Sequence, residues 1–381
     1  MAIACSLTGH SNTITDVTFS DSPTSLHSSA ADGTVRGWDL RSNQCTESFS
    51  ERQELFSFYI LDHLIVAGGK GEVIFWDRRS PSHPVLKLTD THLDDVTQVK
   101  LHPSQHVVSA SGDGLIAVHD VSRGLVEDDD SFTAALNVGT SVEEVGFYGP
   151  QNEQLWVRTG TESLHLWEWK EATCVDRDGG HEAFAEWPEA RTAAKAMAQQ
   201  SSVASLFEEV GYLLGCHYDS VSDGLLLMAG CEGSVGFFPI LQQQSGAVIL
   251  SGQQQHKNRA VTMHTPVLAL HGHHTEVIRS IQCAAGSVGQ AGTIYASGGE
   301  DGLVCLWSAD QIDRDQQLLP SSSHDTNVVE RGLPRIGGHH QHGGQSTSDH
   351  NHVGRSLEQN HGPMKRRTNM GGKKFRKQTP Y

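Results

Sequence analysis

Long apolar runs, paired cysteines and charged residues are all scarce in this chain of 381 residues. No apolar stretch approaches the length of about 18 residues that a membrane-spanning helix requires, so no such span is predicted. The seven cysteines are odd in number and scattered, and no two of them form a Cys-x-x-Cys pair. This usage predicts reduced thiols, as in the cytosol or the nucleus, and argues against a disulfide framework or a zinc site.

The sequence motifs of common enzyme classes are also missing. The glycines within residues 68–71 lack the spacing of a phosphate-binding loop and the Ser or Thr that follows it. No Gly-x-Ser-x-Gly element lies between a predicted strand and a helix. The chain is therefore predicted not to be an enzyme, with no catalytic residue, no metal site and no cofactor.

The charge balance and the glycine content narrow the classes of ligand and of fold that the sequence allows. Acidic residues outnumber basic ones by 45 to 28, which gives a formal net charge of −17. This balance argues against nucleic acid as the main ligand of the folded part, and it favours basic proteins as partners. The 39 glycines, with only 19% charged residues, favour a chain with many turns over a long-helix protein.

A short module recurs six times along the chain. Each copy has small residues, a tight turn, a β-branched or apolar run and, six positions after the turn residue, an aromatic side chain or a histidine. The six pairs of turn residue and ring are Asp32 and Trp38, Lys70 and Trp76, Asp113 and His119, Thr161 and Trp167, Glu232 and Phe238, and Asp301 and Trp307. Asp-Gly and its variants supply the positive φ angles of a tight hairpin, so each copy predicts two strands joined by a turn.

The spacing of the copies predicts the architecture. Successive turns are separated by 38, 43, 48, 71 and 69 residues, and four short strands per 40–45 residues or so is the period of a β-propeller. The two long steps predict one blade each plus an insertion, at about 176–208 and about 241–265. The first insertion should hold a short surface helix after Pro188, and the second is a Gln-rich loop. Residues 1–309 are thus an all-β propeller with six recognisable blades.

The C-terminal part has a different composition. Residues 310–381 are rich in His, Gly, Ser and Gln and poor in large apolar residues, so this segment is predicted to be a disordered tail. Its end carries seven basic residues and no acidic one: Lys365, Arg366, Arg367, Lys373, Lys374, Arg376 and Lys377. We expect these residues to act as a nuclear targeting signal, with contact to RNA phosphates and simple solubilisation as alternatives. Localisation to the nucleus, the cytoplasm or both follows from this reading.

Two of the six copies resemble the repeats of the WD-repeat (WD40) β-propeller family. The first copy has Gly9-His10, Ser28, Asp32 and Trp38-Asp39, and the last has Gly272-His273, Ser297, Asp301 and Trp307. In that family the Trp donates to the hydroxyl, the hydroxyl meets the His, and the His meets the Asp of the turn. The resemblance implies two buried hydrogen-bond chains of this kind, one formed by His10, Ser28, Asp32 and Trp38, the other by His273, Ser297, Asp301 and Trp307.

The third copy matches the same pattern only in part. It has His92, Ser109 and Asp113, but His119 stands where the family has Trp. The run from Thr91 to Ser104 is more particular than a generic repeat, and it resembles one branch of the family. Copies two, four and five have the hairpin without the rest of the pattern.

The resemblance also raises a question of blade number. The family looks seven-bladed, whereas six copies are recognisable here, since no hairpin precedes the first Gly-His. One expectation is a closed six-bladed ring, in which residues 2–8 complete the blade of Trp307. The alternatives are a ring with seven-bladed curvature and a gap, or a truncated gene model. A gap would leave two unpaired blade faces.

The end of the first hairpin suggests a docking site. Trp38-Asp39-Leu40-Arg41 resembles the WDxR box of WD proteins that dock on the adaptor of cullin-4 ubiquitin ligases, and Arg79 ends a weaker second box. Asp39, Arg41 and Arg79 are therefore candidate docking residues, against the alternative of an ordinary solvated blade end.

The sequence as a whole favours a non-catalytic scaffold that binds proteins. The alternatives are a cullin-4 substrate receptor and a nuclear ribosome-biogenesis or RNA-associated factor.

Overall fold

The computed structural model describes residues 6–19, 24–125, 128–172, 182–243, 260–285, 288 and 293–308. These residues form six antiparallel sheets in chain order, and neighbouring sheets contact each other through their innermost strands. The structure is a six-bladed β-propeller with very little helix, which confirms the predicted fold class. Within the described residues, no helix is long and apolar enough to cross a membrane.

The six blades are listed here by their strands. Blade 1 has β1 (Ile14–Phe19), β2 (Ser25–Ala30), β3 (Thr34–Asp39) and β4 (Gln44–Ser50). Blade 2 has β5 (Ser57–Leu61), β6 (Leu64–Gly68), β7 (Val73–Asp77) and β8 (Leu86–Leu88). Blade 3 has β9 (Gln98–His102), β10 (His106–Ala110), β11 (Leu115–Asp120) and β12 (Phe132–Asn137), with the helical turn α1 (Asp128–Ser131) before β12.

The second half of the ring is less regular. Blade 4 has β13 (Val142–Tyr148), β14 (Gln154–Thr159), β15 (Leu164–Trp167) and β16 (Ala185–Trp187), with α2 (Trp169–Ala172) after β15. Blade 5 has β17 (Tyr212–Asp219), β18 (Gly224–Cys231), β19 (Ser234–Gln243) and an outer strand in two pieces, β20 (Ala260–Met263) and β21 (Leu268–Leu270). Blade 6 has β22 (Ile278–Ala285), β23 (Ile294–Gly299) and β24 (Val304–Ser308).

The hairpin turns have the backbone geometry that their sequences predict. The glycine after the turn residue has a positive φ in four blades, for example +79° at Gly33 and +73° at Gly302. A side chain at Gly33 would also collide with the carbonyl oxygen of Glu51, 2.4 Å from the position of its Cβ. In blade 4 a non-glycine residue, Glu162, takes the positive φ of 60°. These turns fix which strand face points toward the next blade.

Apolar side chains fill the junctions between neighbouring blades. The described residues contain five buried clusters, and each one joins a blade to the next, from blades 1 and 2 to blades 5 and 6. A single blade cannot bury its own apolar faces, so each blade depends on its neighbours for stability.

Hydrogen bonds also link the innermost strands of successive blades. The hydroxyl of Ser57 in blade 2 accepts from the backbone N–H of Val99 in blade 3 at 2.9 Å. The side chain of Gln98 in blade 3 accepts from the N–H of Val145 in blade 4 at 2.6 Å. Each bond joins a polar side chain of one blade to the first strand of the next. It thereby restrains how far the two blades can shift along their strands.

The two predicted insertions contain blade structure as well as additions. Outer strand β16 lies inside the first insertion, followed by α3 (Ala190–Ala198) and a 3-10 turn at Ala204–Leu206. The helix packs Ala190, Ala194 and Ala198 into the core between blades 4 and 5, so it is less of a surface element than the sequence predicts. The Gln-rich segment continues β19 to Gln243, and residues 244–259 lie outside the described part.

Blade 6 has three strands in the described part of the chain. Residues 2–8 were expected to add a fourth strand to it. Residues 6–8 are described and are not in a strand, and residues 1–5 lie outside the described part. The predicted tail, residues 310–381, also lies outside it.

The inter-blade hydrogen bonds can be tested with Ser57→Ala. The change leaves the buried N–H of Val99 without its acceptor, which should lower the free energy of unfolding by about 1–3 kcal/mol. Urea denaturation measures the effect. The exposed Ser82→Ala is the matched control and should change stability by less than about 0.5 kcal/mol; equal effects of the two changes would show that the bond does not stabilise the ring.

Candidate functional site

Near the hairpin tip of blade 1, four side chains form a continuous series of hydrogen bonds, which is called a hydrogen-bond chain below. The indole Nε1 of Trp38 donates to the hydroxyl of Ser28 at 2.8 Å, and that hydroxyl lies 2.7 Å from Nε2 of His10. The other ring nitrogen of His10 lies 3.1 Å from a carboxylate oxygen of Asp32. The structure thus brings together the four residues that the first repeat predicts.

The direction of each hydrogen bond follows from donor and acceptor chemistry. An indole N–H can only donate, and an ionised carboxylate can only accept. Ser28 therefore accepts from Trp38 and donates to Nε2 of His10, and Nδ1–H of His10 donates to Asp32. Burial alone would raise the pKa of Asp32, but hydrogen bonds from Thr34, Ser11 and His10 lower it to about 2. The carboxylate is ionised at neutral pH, as this arrangement requires.

The turn aspartate also holds the loop that enters the blade. The carboxylate of Asp32 accepts from the backbone N–H of Ser11, the residue after His10, at 2.9 Å. In blade 3, Asp113 accepts from the N–H of Leu93 at 2.8 Å. In blade 6, Asp301 accepts from the N–H of Thr275 at 3.0 Å. In three blades, then, the hairpin tip fixes a loop that is 20 to 26 residues away in sequence.

The structure corrects one predicted residue. The sequence predicted His273 as the histidine of the last chain, whereas His274 occupies that position. Nε2 of His274 lies 2.8 Å from the hydroxyl of Ser297, and its Nδ1 lies 3.0 Å from Asp301. Trp307 donates to Ser297 at 2.7 Å, as predicted from the family pattern. His273 is exposed and packs its ring against Trp307 instead, at 4.9 Å between ring centres.

The distance from the histidine to the first strand gives the physical reason. His10 is four residues before Ile14, where β1 begins, and His274 is four residues before Ile278, where β22 begins. His273 is five residues before Ile278, so its ring cannot take the position that His10 has in blade 1. The Gly-His pair does not show at which residue the strand begins, so it identified the wrong histidine.

Blade 3 contains the partial chain that its sequence predicts. Nε2 of His92 lies 2.8 Å from the hydroxyl of Ser109, and Nδ1 lies 3.3 Å from Asp113. His119, which replaces the Trp, is buried, and its Nδ1 lies 3.0 Å from the hydroxyl of Ser131. His119 thus meets a different hydroxyl, which belongs to the helical turn α1 before the outer strand.

Blades 2 and 4 have the Trp without its hydroxyl partner. Ala67 and Val157 stand at the register position that Ser28 holds in blade 1. Within the described chain, the buried Nε1 groups of Trp76 and Trp167 accordingly have no hydrogen-bond acceptor. These blades rely on apolar packing rather than on the polar chain.

A hydroxyl and a histidine in blade 4 lie in an arrangement that superficially suits catalysis. The Ser163 hydroxyl lies 2.8 Å from Nε2 of His165, and Glu186 lies 3.5 Å from the other ring nitrogen. However, Ser163 and His165 are buried, and the same hydroxyl bonds Thr159 at 2.6 Å. A substrate could not reach this serine, so the group is a structural polar chain.

The candidate docking residues lie at the ends of blades 1 and 2 with the same geometry. Nη2 of Arg41 donates to Asp39 at 2.8 Å, and Nη2 of Arg79 donates to Asp77 at 2.5 Å. The arginine side chains are 74% and 69% exposed. Hydrogen bonds from these guanidinium groups lower the pKa of Asp39 and of Asp77 to about 2. Each arginine is therefore exposed, yet held in one orientation by its own carboxylate.

A network that the sequence did not predict joins these two blade ends. Glu47 of blade 1 accepts from Arg78 of blade 2 at 2.5 Å and lies 2.9 Å from Nε2 of His27. The bond to His27, followed by the bond and charge of Arg78, outweighs the effect of burial and lowers the pKa of Glu47 to about 2. The network ties Arg78, the residue before Arg79 in the second box, to blade 1. No motif in either repeat signals it, because its partners belong to different blades.

Among the described residues, no group of three or more His, Cys, Asp or Glu side chains is placed to hold a metal ion. The predicted targeting residues from Lys365 to Lys377 lie outside the described part of the chain.

Comparison with known proteins agrees with this geometry. The family described as WD domain, G-beta repeat, matches residues 3–39 and 264–308. WD repeat-containing protein GTS1 of Arabidopsis thaliana is 34% identical over 317 residues, which cover 80% of this chain and 72% of that protein. The chain belongs to the WD repeat family. Propellers of this family are typically non-catalytic scaffolds for protein interactions.

Further similarities place this WD repeat protein among its relatives. The branch suggested by residues Thr91–Ser104 was that of WD repeat-containing protein 89. The WD repeat-containing protein 89 homolog of Dictyostelium discoideum is 28% identical over 233 residues, which cover 60% of this chain and 59% of the relative. A chain in the crystal structure of the Mitotic Checkpoint Complex superposes with a TM-score of 0.55 at 13% identity, over 79% of this chain and 76% of that one. This last similarity shows the fold alone.

Adjacent histidines allow a direct test of the corrected chain. His274→Ala removes the partner of both Asp301 and Ser297 and should lower the free energy of unfolding by about 2–3 kcal/mol. His273→Ala loses only a ring contact and should cost less than about 1 kcal/mol. Urea denaturation of the two variants measures the difference, and a larger cost for His273→Ala would contradict the assignment.

Acid should destabilise the protein through the aspartate chains. The pKa of Asp32 is about 2 in the folded state and about 3.9 in an unfolded chain. A lowered folded-state pKa contributes stability above about pH 4 that is lost as the pH falls toward 2. Burial raises the pKa of Asp16 and of Glu144, so these two groups act in the opposite direction.

The contribution of Asp32 can be isolated by comparing variants across pH. Asp32→Asn should be less stable than the unmodified chain at pH 7, and it should lose less stability between pH 5 and pH 3. Urea midpoints at several pH values measure this slope. The exposed Glu208→Gln serves as the control and should leave the slope unchanged, whereas an unchanged slope in Asp32→Asn would count against the ionised chain.

Proposed function

We propose that this WD repeat protein is a non-catalytic scaffold that binds partner proteins through the loops held by its turn aspartates. The observation that carries the proposal is Leu93, whose side chain is 96% exposed although its backbone N–H is fixed by Asp113 at 2.8 Å. The backbone of this loop is already fixed before a partner binds. A large apolar side chain that it exposes to water therefore loses little conformational freedom on binding. Such residues are suited to be the centre of an interface.

The loop around Leu93 is held at several further points. The Ser111 hydroxyl donates to the carbonyl of Asp94 at 3.2 Å, and the N–H of Gly112 donates to the carbonyl of Asp95 at 3.0 Å. The N–H of Val96 donates to Gly69 in the preceding blade at 2.9 Å. Both blades therefore support the loop, and binding there would need no rearrangement of the backbone.

The charge beside Leu93 supports a basic partner. Asp94 and Asp95 follow it directly, and burial and the neighbouring Asp94 carboxylate raise the pKa of Asp95. A cation brought to this loop would relieve the repulsion between the two carboxylates. Together with the net charge of −17, this favours a partner that presents an apolar groove bordered by Lys or Arg.

Leu93→Ser tests this function. Affinity purification from cell extract, followed by quantitative mass spectrometry, should lose a set of basic proteins in the variant, by at least about tenfold. Recovery with the unmodified chain should also fall as salt rises from 50 to 500 mM, since the contact is partly ionic. Val221→Ser, another exposed apolar residue, is the control. If the same proteins are recovered with Leu93→Ser, this loop is not the binding site.

A second candidate function involves the ends of blades 1 and 2 that lie away from the hairpin tips. Docking on a cullin-4 ligase adaptor is supported by the identical exposed geometry of the Asp39–Arg41 and Asp77–Arg79 pairs. Each guanidinium donates to its own Asp through Nε and Nη2, which leaves Nη1 to meet a partner carboxylate. The pairs are adjacent on neighbouring blades, which suits one partner that contacts both.

Single arginine changes test the docking proposal. Arg41→Ala and Arg79→Ala should each reduce co-purification of the adaptor by about tenfold or more, and together they should abolish it. Arg123→Ala, at the equivalent end of blade 3, is the matched control and should have no effect. Unchanged adaptor recovery with the double variant would exclude a rim contact through these residues.

The nuclear ribosome-biogenesis or RNA-associated role is supported only by the sequence from Lys365 to Lys377. It is a proposal about the basic tail, and it is compatible with either binding surface on the propeller. Co-sedimentation with large ribonucleoprotein particles that is lost on RNase treatment and on removal of the tail would support it.

A further inference from the structure

A cavity of about 520 Å³ lies between blades 2 and 3, at the end where Arg79 is found. Its volume falls within the range of about 300–1,000 Å³ that is usual for ligand pockets. The cavity is open to solvent, since Asp62 and Ser122 of its lining are exposed. Six of the lining residues are apolar, three from blade 2 and three from blade 3: Leu61, Leu64, Val85, Leu101, Val121 and Leu125.

The small side chain of Val121 explains why this space is open. Val121 is the second residue after the ring of the third copy, and the residue at that position is Arg78 in blade 2 and Trp169 in blade 4. These larger side chains extend to the preceding blade, where Arg78 meets Glu47 and Trp169 packs against His102. Valine is much shorter, and it leaves the corresponding space between blades 2 and 3 unfilled.

The junction between blades 3 and 4 shows which group fits this space. There the indole of Trp169 is 1% exposed, and it packs against three rings at 4.9, 5.4 and 5.5 Å between ring centres: His102, His106 and Phe147. The residues at the same strand positions one junction earlier are three leucines, and all of them line the cavity: Leu61 for His102, Leu64 for His106 and Leu101 for Phe147. The cavity therefore has the walls of the Trp169 site, in apolar form, without the indole.

We infer that this cavity binds a tryptophan side chain on an exposed segment of a partner protein. An indole fills the equivalent space in the next junction, so an indole is the group whose shape and apolar surface fit. A buried indole N–H also needs an acceptor. Trp169 donates to the carbonyl of Asn152, in the turn before β14, at 2.8 Å. The turn before β10 brings Gln105 to the cavity, and its side-chain oxygen is an acceptor.

The tryptophans of this chain do not fill the cavity. All seven lie in the described part, and none of them lines it. Six are at most 7% exposed, and the seventh, Trp187, packs against the core between blades 4 and 5, so a second copy has no free indole to insert. Outside the described part, the only aromatic residues besides histidine are Phe375 and Tyr381. An indole in the cavity therefore comes from a different protein.

The inference rests on the proposed protein-binding function and adds a second surface to it, separate from the Leu93 loop. The two surfaces differ in chemistry. The Leu93 loop combines an apolar residue with carboxylates, and its binding should depend on salt. The cavity would hold an uncharged ring against leucine and valine side chains, and its binding should not weaken as salt rises.

The test uses the full chain, with isotope-labelled leucine and valine methyl groups, and a defined probe, an uncharged Gly-Ser peptide with one central Trp. The ring current of a bound indole should shift the methyl resonances of Leu61, Leu64 and Val85 in a saturable way, with a dissociation constant of about 1 mM or below. The same peptide with Ala in place of Trp should not shift them. Unshifted methyls with the Trp peptide, or equal shifts with the Ala peptide, would overturn the inference.

Val121→Trp supplies the missing indole from the chain itself. It should weaken peptide binding by at least about tenfold, and it should raise the thermal midpoint because it fills a cavity between two blades. Val221→Trp, at an exposed position outside the cavity, is the matched control and should do neither. If the peptide binds undiminished to a Val121→Trp variant with a raised midpoint, its site is elsewhere.

A milder change keeps the test sound if Val121→Trp does not fold. Val85 is 47% exposed, so Val85→Ser alters the cavity wall and leaves the core intact. It should weaken peptide binding by at least about threefold, and unchanged binding would contradict the inference. Phe375→Ala combined with Tyr381→Ala should leave binding unchanged. If the peptide binds only after these two rings are removed, the chain's own C-terminal segment occupies the cavity and the inference is overturned.

Separate outcomes distinguish this inference from the proposed functions. Leu93→Ser and Arg41→Ala should both leave peptide binding unchanged, since neither residue lines the cavity. A loss of cellular partners in Leu93→Ser, with no peptide binding by the unmodified chain, would support the proposed function and contradict this inference. Peptide binding together with unchanged partners in Leu93→Ser would do the reverse.

Discussion

The ionised aspartate at a hairpin tip is the group on which the order of this propeller most depends. Asp32, Asp113 and Asp301 each accept from a histidine ring and from the backbone N–H that follows that histidine. Each also accepts from the N–H two residues beyond itself. One carboxylate thus joins the turn, the entering loop and, through the histidine, the serine on the second strand. Since every partner is a donor, only the charged form satisfies them all.

The distribution of these polar chains follows the position of the blades in the ring. Blades 1 and 6 have all four residues, blade 3 has three, and in blades 2 and 4 the central tryptophan lacks its hydroxyl partner within the described chain. In the described part of the chain, buried apolar clusters lie on both sides of blades 2 to 5 and on one side of blades 1 and 6. Apolar packing alone therefore holds the central tryptophans of blades 2 and 4.

The sequence predicted the repeating parts of the structure well and the parts between repeats poorly. Turn residue and aromatic six positions apart identified all six hairpins, because both features are local. The outer strand β16 was assigned to an insertion, since three residues paired to β15 leave no periodic signal. Residue His274 was missed because Gly272-His273 matches the family motif by letters, while the loop length that decides it is set in three dimensions.

The contacts between blades show the same limit. Glu47, His27 and Arg78 form one network, but Arg78 is 31 residues from Glu47 and belongs to another repeat. Val17 and Leu306 are 50% and 75% exposed, although both look like core positions in the sequence. What the sequence encodes at each such position is an apolar face, and the arrangement of blades determines whether that face is covered.

The central claim is that the turn aspartates hold the loops that enter blades 1, 3 and 6 in a fixed conformation. Hydrogen exchange of the backbone amides of Ser11, Leu93 and Thr275 tests it most directly, since each amide is bonded to an aspartate while its residue lies on an exposed loop. The account predicts that these three amides exchange as slowly as strand amides in the same blades. Exchange at the rate of an unstructured peptide would contradict it.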